Sequence, residues 1–197
     1  MYNASMISTK LLENPRIRLA VVVATQYHNG QFRKYSNIPY ISHPLSVASL
    51  VARYTDDEDV IIAAILHDVV EDTKMTLGQV FHMFGGQVAY YVHYVTEVAD
   101  KSCGPRALRV KLNREHFASG PAESQLIKIA DTIHNISDLD KSPDVKFAKL
   151  YTLEKLGTVD ALSLAPNCLR VKAVLVLNSL YQLFHNKGIT SPYCESV

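Results

Sequence analysis

The segment from Ile61 to Asp72, IIAAILHDVVED, restricts the fold most, because it places four ionisable groups on an otherwise oily helix. At about 3.6 residues per turn, His67 falls beneath Glu71 and Asp68 beneath Asp72, so the polar groups form two neighbouring columns at the helix's C-terminal end. Ile61, Ile62, Ile65, Leu66, Val69 and Val70 take the other faces. Holding three carboxylates and an imidazole that close together inside a core costs several kcal/mol of desolvation and like-charge repulsion. A metal ion or a basic substrate at that end offsets the cost, so the segment predicts a functional site.

The chain has 197 residues, 48% hydrophobic and 20% charged, which fits a single domain over 1–197 with a sizeable core. A formal net charge of +1 gives no global attraction to nucleic acid or to an anionic membrane. Neither is expected as a partner, and any basic site must be local. Cys103, Cys168 and Cys194 are widely spaced with no CxxC, which argues against a disulfide framework or a cysteine zinc site and fits a reducing cytoplasm. The apolar run Leu19 to Ala24 leads into Thr25-Gln26-Tyr27-His28 without a small-residue cleavage pattern. No apolar stretch approaches the roughly 20 residues that a membrane helix needs.

Helical periodicity dominates, so the expected class is all-α, a bundle-like domain. Ile17 to His28 reads as a helix and Gly30 to Ile41, with Pro39, as a loop or short hairpin. Pro44 fits the first turn of a helix to about Tyr54. Asp56-Asp57-Glu58-Asp59 caps the motif helix, where the macrodipole favours acids. Thr76 caps the next helix, which ends near Gly85-Gly86, and Val88 to Val98 follows. Residues 100–108 read as a loop. Helices are then expected over Arg109 to Ala118, Glu123 to Leu139, Asp144 to Gly157 and Asn167 to Asn186.

Two positions can complete a metal site. His43 directly precedes the helix-starting Pro44, and Asp131 interrupts the apolar run around Ile127, Ile129, Ala130 and Ile133. With His67 and Asp68 they offer two nitrogen and two oxygen donors. That mixed, hard-leaning set suits Mn²⁺ or another divalent transition metal and leaves room for water or a phosphate oxygen.

The order His, then His-Asp, then Asp resembles the signature of the HD phosphohydrolase superfamily. Within it, Arg33-Lys34, Pro39-Tyr40-Ile41 and His43-Pro44 are similar to the first motif of RelA/SpoT-type alarmone hydrolases. His67-Asp68-Val69-Val70-Glu71-Asp72-Thr73 resembles their HDxxEDT motif, Phe84-Gly85-Gly86 their following turn, and Lys128-Ile129-Ala130-Asp131-Thr132-Ile133-His134-Asn135 their last motif. The similarity runs over about residues 15–140, and at this length it is to a small hydrolase without synthetase and regulatory domains. It implies Mn²⁺-dependent removal of the 3′-pyrophosphate of guanosine tetra- and pentaphosphate, giving pyrophosphate and GDP or GTP. It also implies His43, His67, Asp68 and Asp131 as metal ligands, and Glu71 and Asp72 as the groups that orient or deprotonate the attacking water. Arg33 and Lys34 would line the nucleotide pocket, Asn135 would lie near sugar and metal, and Lys101 would face the pyrophosphate.

The chain departs from the family pattern in Thr96-Glu97-Val98-Ala99-Asp100-Lys101, where the family has two aspartates before the lysine. Arg106 and Arg109 lie in a loosely aligning basic segment and are candidates because a polyphosphate must meet cations somewhere. The loop at Tyr35-Ser36-Asn37-Ile38 lacks the usual aspartate and glycine, which leaves guanine and adenine both open as the base. A related phosphohydrolase acting on ppApp, 5′-nucleotides, dNTPs or NADPH is the alternative. A non-catalytic nucleotide-binding protein is a further one, against which the retention of every ligand and both carboxylates argues. His134 is read as supporting the metal face rather than ligating. Tyr90, Tyr91 and Tyr94 are read as packing or interface, compatible with a homo-oligomer.

Overall fold

The computed structural model describes residues 8–189, so Cys194 lies outside the described residues. Helix starts follow local capping chemistry. After a single turn, α1 (Thr9–Leu12), the Asn14 side chain accepts from the amides of Arg16 and Ile17, and Pro15 occupies the first turn of α2 (Pro15–Tyr27). The segment that follows is hairpin-like: Arg33 N–H donates to Ile38 O and Tyr40 N–H to Gln31 O, both at 2.9 Å, around one isolated bridge between Phe32 and Pro39. It delivers the chain into α3 (Ser42–Val51) with His43 already in the first turn.

Asp57 caps α4 (Glu58–Leu66), with Glu58 and Asp59 in the first turn. Every residue of α4 from Val60 to Leu66 is at most 1% exposed, and α2, α3, α7 (Gly86–Val95) and α9 (Ala122–Ile136) pack around it. Thr76 and Gln79 form a reciprocal capping box at the start of α6 (Leu77–Phe84). Gly85 then turns the chain into α7 at φ 95°, a left-handed conformation that favours glycine. The remaining helices are α8 (Arg106–Ser119), α10 (Val145–Ala161) and α11 (Asn167–Ile189). The last two pack on each other and join the core through Val159, Leu169, Ala173 and Leu177. Among the described residues there is no strand and no helix long and apolar enough to cross a membrane.

The all-α expectation holds, with three local differences. The motif helix is not continuous: α4 stops at Leu66 and a separate turn, α5 (Val69–Asp72), follows. His67 Nδ1 bonds Ala64 O at 2.8 Å, which is the carbonyl that the Asp68 amide would take in an unbroken helix. The charged helix begins at Arg106 rather than Arg109, since Pro105 suits a helix start and a short 3₁₀ turn, Lys101–Cys103, precedes it. The helix expected to end at Gly157 runs to Ala161. That glycine is a close approach and not a cap, because a Cβ there would lie 2.6 Å from an Arg114 guanidinium nitrogen.

Candidate active site

The break between α4 and α5 points His67 and Asp68 toward His43 of α3 and Asp131 of α9. His67 Nε2 and His43 Nε2 lie 3.2 Å apart. Asp68 Oδ2 is 3.0 Å from His67 Nε2 and 3.3 Å from His43 Nε2, while Asp131 Oδ1 is 3.2 Å from His43 Nε2 and 3.7 Å from His67 Nε2. A cation holding ligands at about 2.1 Å spaces them about 3.0 Å apart on an octahedral edge and about 3.4 Å on a tetrahedral one, so His43, His67 and Asp68 could hold one divalent ion, with Asp131 against both histidines. The rings are also oriented for it. His67 Nδ1–H donates to Ala64 O, which leaves the Nε2 lone pair facing the centre, and His43 Nδ1 is paired with His134 Nδ1 at 2.7 Å.

Electrostatics favour a cation there as well. Burial opposes protonation of His67, but Asp68 and Asp131 outweigh it and push the imidazole up to about 10. Burial likewise opposes ionisation of the carboxyls, yet His67 and His43 hold Asp68 well below its usual range, and Lys128 and His43 do the same for Asp131. A pocket of this kind draws positive charge, whether proton or metal. The Lys128–Asn135 segment also carries a lysine at its first position. The structure buries it in α9, with Nζ 3.2 Å from Asp131 Oδ2 and 3.0 Å from Val95 O.

Glu71 and Asp72 stand beside this cluster. Burial raises both carboxyls above their ordinary values, against Lys128 for Glu71 and helped by Asp68 for Asp72. Glu71 Oε2 accepts the Glu97 amide at 3.1 Å. The Tyr40 hydroxyl, 2.7 Å from Asp68 Oδ2 and 3.1 Å from Asp72 Oδ2, bridges the metal-ligand and catalytic candidates. Burial, with Asp68 beside it, keeps that phenol protonated and therefore donating. Sequence reasoning assigned Tyr40 no function, although its place in Pro39-Tyr40-Ile41 was the available signal. Gln31 supports the same corner: its amide donates to Asp72 O at 2.9 Å while its carbonyl pairs with His28 Nδ1 at 2.7 Å.

The basic candidates divide. Arg33, with a side chain 9% exposed, donates to Asn135 Oδ1 at 3.2 Å and Asp138 Oδ2 at 3.4 Å, and Asn135 Nδ2 donates to Asp131 Oδ1 at 2.6 Å. Arg33 is thus wired through Asn135 to the centre. Lys34 and Arg106 meet on a ring outside all the sequence motifs: Lys34 Nζ is 4.7 Å and Arg106 Cζ 5.4 Å from the Phe147 centroid. Arg109 donates to Gly104 O at 3.2 Å and lines a cleft with Glu97, Arg106, Tyr151, Glu154 and Lys155. Lys101 lies on the exposed 3₁₀ turn, and no hydrogen bond or ion pair joins it to the centre among the described residues.

The HD domain family profile matches residues 20–155, more than half of the chain and all of the groups just described. The chain belongs to the HD domain family. This HD domain protein is 37% identical over 120 residues to the guanosine-3′,5′-bis(diphosphate) 3′-pyrophosphohydrolase MESH1 of Danio rerio, covering 60% of the chain and 65% of that protein. It is 33% identical over 140 residues to a GTP pyrophosphokinase of Myxococcus xanthus, covering 68% of the chain but 18% of the relative. The match therefore spans just under two thirds of the one and under a fifth of the other. Among solved structures, one described as a metazoan ortholog of SpoT that hydrolyzes ppGpp superposes with a TM-score of 0.73 at 28% identity, covering 86% of this chain and 96% of that one.

Proposed function

We propose that this HD domain protein, one domain over 1–197, is a Mn²⁺-dependent hydrolase that removes the 3′-pyrophosphate of guanosine tetra- and pentaphosphate, releasing pyrophosphate and GDP or GTP. The observation that supports the reading is the cluster of His43, His67 and Asp68, which could hold a metal ion, with Asp131 against both histidines and Glu71 and Asp72 alongside. The relatives' names supply the substrate. When bound, Mn²⁺ would lower the pKa of a water and offset the charge of the departing group. Glu71, its carboxyl raised by burial toward the range of a useful base, takes the proton of the attacking water. Asp72, held by Tyr40, orients that water. The water oxygen bonds to the phosphorus as the phosphorus–oxygen bond to the ribose breaks, the 3′-oxygen takes up the proton that Glu71 accepted, and pyrophosphate leaves. Asn135, fixed by Arg33, sits at the sugar side, and Lys34, Arg106, Arg109 and Lys101 meet the phosphates.

The test is product analysis on ppGpp with fresh Mn²⁺ and again with chelator, run beside ppApp, 5′-nucleotides, dNTPs and NADPH. Pyrophosphate release from ppGpp that stops with chelator is expected. Intact ppGpp removes the reading, and preferential turnover of another substrate transfers the same centre to that nucleotide.

A further inference from the structure

α10 lies beyond the segments that resemble the family's motifs, yet it meets Lys34 and Arg106 from two of the earlier segments. Phe147, Tyr151 and Glu154, spaced four and then three residues apart, share one face of that helix. Asp144 caps the helix at the Phe147 amide, which fixes where this face begins. The Phe147 ring receives Lys34 from the hairpin-like segment at 4.7 Å and Arg106 from the start of α8 at 5.4 Å. Both cationic heads are therefore within about 10 Å of each other. Glu154 grips Arg106 by Nε and Nη2, at 2.7 and 2.6 Å, and Tyr151 stacks on Phe147 with centroids 5.8 Å apart.

Two like charges do not gather without cause. The quadrupole of one aromatic face attracts each cation, and a single carboxylate neutralises only one of the two. The arrangement retains a net positive charge and leaves Arg106 Nη1 without a hydrogen bond among the described residues. Arg106, Tyr151 and Glu154 line the cleft whose wall includes Glu97, the residue that binds Glu71 through its amide. We propose that Phe147 is a positioning residue for substrate binding: its ring sets Lys34 and Arg106 as a two-cation grip for the phosphates of a polyphosphorylated nucleotide. This rests on the phosphohydrolase reading for the identity of the nucleotide, while the grip for phosphate is tested separately.

Phe147 is half-buried and not among the core side chains, so its substitution leaves the fold intact. Phe147→Leu retains apolar bulk and removes the π face, whereas Phe147→Tyr keeps the face. Calorimetric titration of inorganic pyrophosphate into the Mn²⁺-equilibrated protein, together with KM and kcat on ppGpp, reads the difference. Two cation–π contacts predict about five- to thirty-fold weaker pyrophosphate binding and a similar rise in KM for Phe147→Leu, with affinity near wild type for Phe147→Tyr. A kcat within about twofold of wild type in both separates positioning for binding from damage to the metal centre. Equal affinities for wild type and Phe147→Leu overturn the proposal, as does equal loss in Leu and Tyr variants or a wild type that does not bind pyrophosphate. Should the pyrophosphate series behave as expected while ppGpp stays intact, the substrate assignment falls and the grip stands.

Discussion

Replacing Lys128 with methionine isolates the electrostatics of the centre, since Met is of similar length and makes no ion pair. Lys128 is 5% exposed, and its ammonium lies 3.2 Å from Asp131 Oδ2 and 3.0 Å from Val95 O. Removing one partner of a buried pair costs roughly 3–5 kcal/mol, because the other charge stays buried. Asp131 keeps His43 at 3.2 Å and His67 at 3.7 Å, which places Lys128→Met at the lower end, about 3 kcal/mol. For a domain of this size each kcal/mol moves Tm by about 2–4 °C, so the midpoint in chelator should fall by roughly 6–12 °C. Mn²⁺ should restore more of that loss than it adds to wild type, because a centre stripped of Lys128 carries one more uncompensated negative charge. Thermal unfolding by circular dichroism, with EDTA and with Mn²⁺, measures both differences. An EDTA midpoint within about 1 °C of wild type would mean that the Lys128–Asp131 pair carries no net energy and would refute this account of the buried charges.

Asp68→Ala removes a donor that faces both histidines and should abolish Mn²⁺ binding in calorimetry and, with it, turnover; retained stoichiometric binding rejects the ligand set. Glu71→Gln should bind Mn²⁺ normally and lose about 10²–10⁴ in kcat, and normal turnover rejects the proton-transfer role. Burial raises the Glu71 carboxyl, and a base must be unprotonated, so wild-type activity should fall as pH drops through a value above the ordinary glutamate range, a limb absent from Glu71→Gln. Burial opposes ionisation of Asp138, but Lys141 and Arg33 outweigh it and hold the carboxyl below its usual range. Its stabilising effect, about 1 kcal/mol for a pair still 26% exposed on the Asp138 side, is complete above the unfolded value near 3.9 and vanishes as pH falls through the lower folded value. Denaturation of Asp138→Asn against wild type at pH 7 and below pH 3 should show that gap close.

Much of the site was legible because its chemistry is written locally. An oily helix that ends in His67, Asp68, Glu71 and Asp72 announces a compensating charge from spacing alone, and His43-Pro44 and Asp131 are recognisable by the segments around them. The caps at Asp57 and Thr76 were similarly readable, because a short polar side chain and the amides it satisfies are two or three residues apart. What went unread depends on distant partners. Gly157 reads as a helix stop until Arg114 is seen against it, and the ion pair of Lys128 with Asp131 shows only once Val95 O is seen to hold the ammonium in place.

By itself the sequence determined an all-α chain and the family to which it belongs, and it singled out four candidate donors and two candidate carboxylates, since periodicity and motif spacing are properties of the chain. Only the tertiary structure decided that the motif helix breaks at His67, that Tyr40 joins Asp68 to Asp72, and that Arg33 is tied to Asn135 and Asp138. It also decided that Lys34 and Arg106, 72 positions apart, share the Phe147 ring. These are contacts between side chains from different helices and loops, and their energies depend on distances and burial that local sequence does not encode.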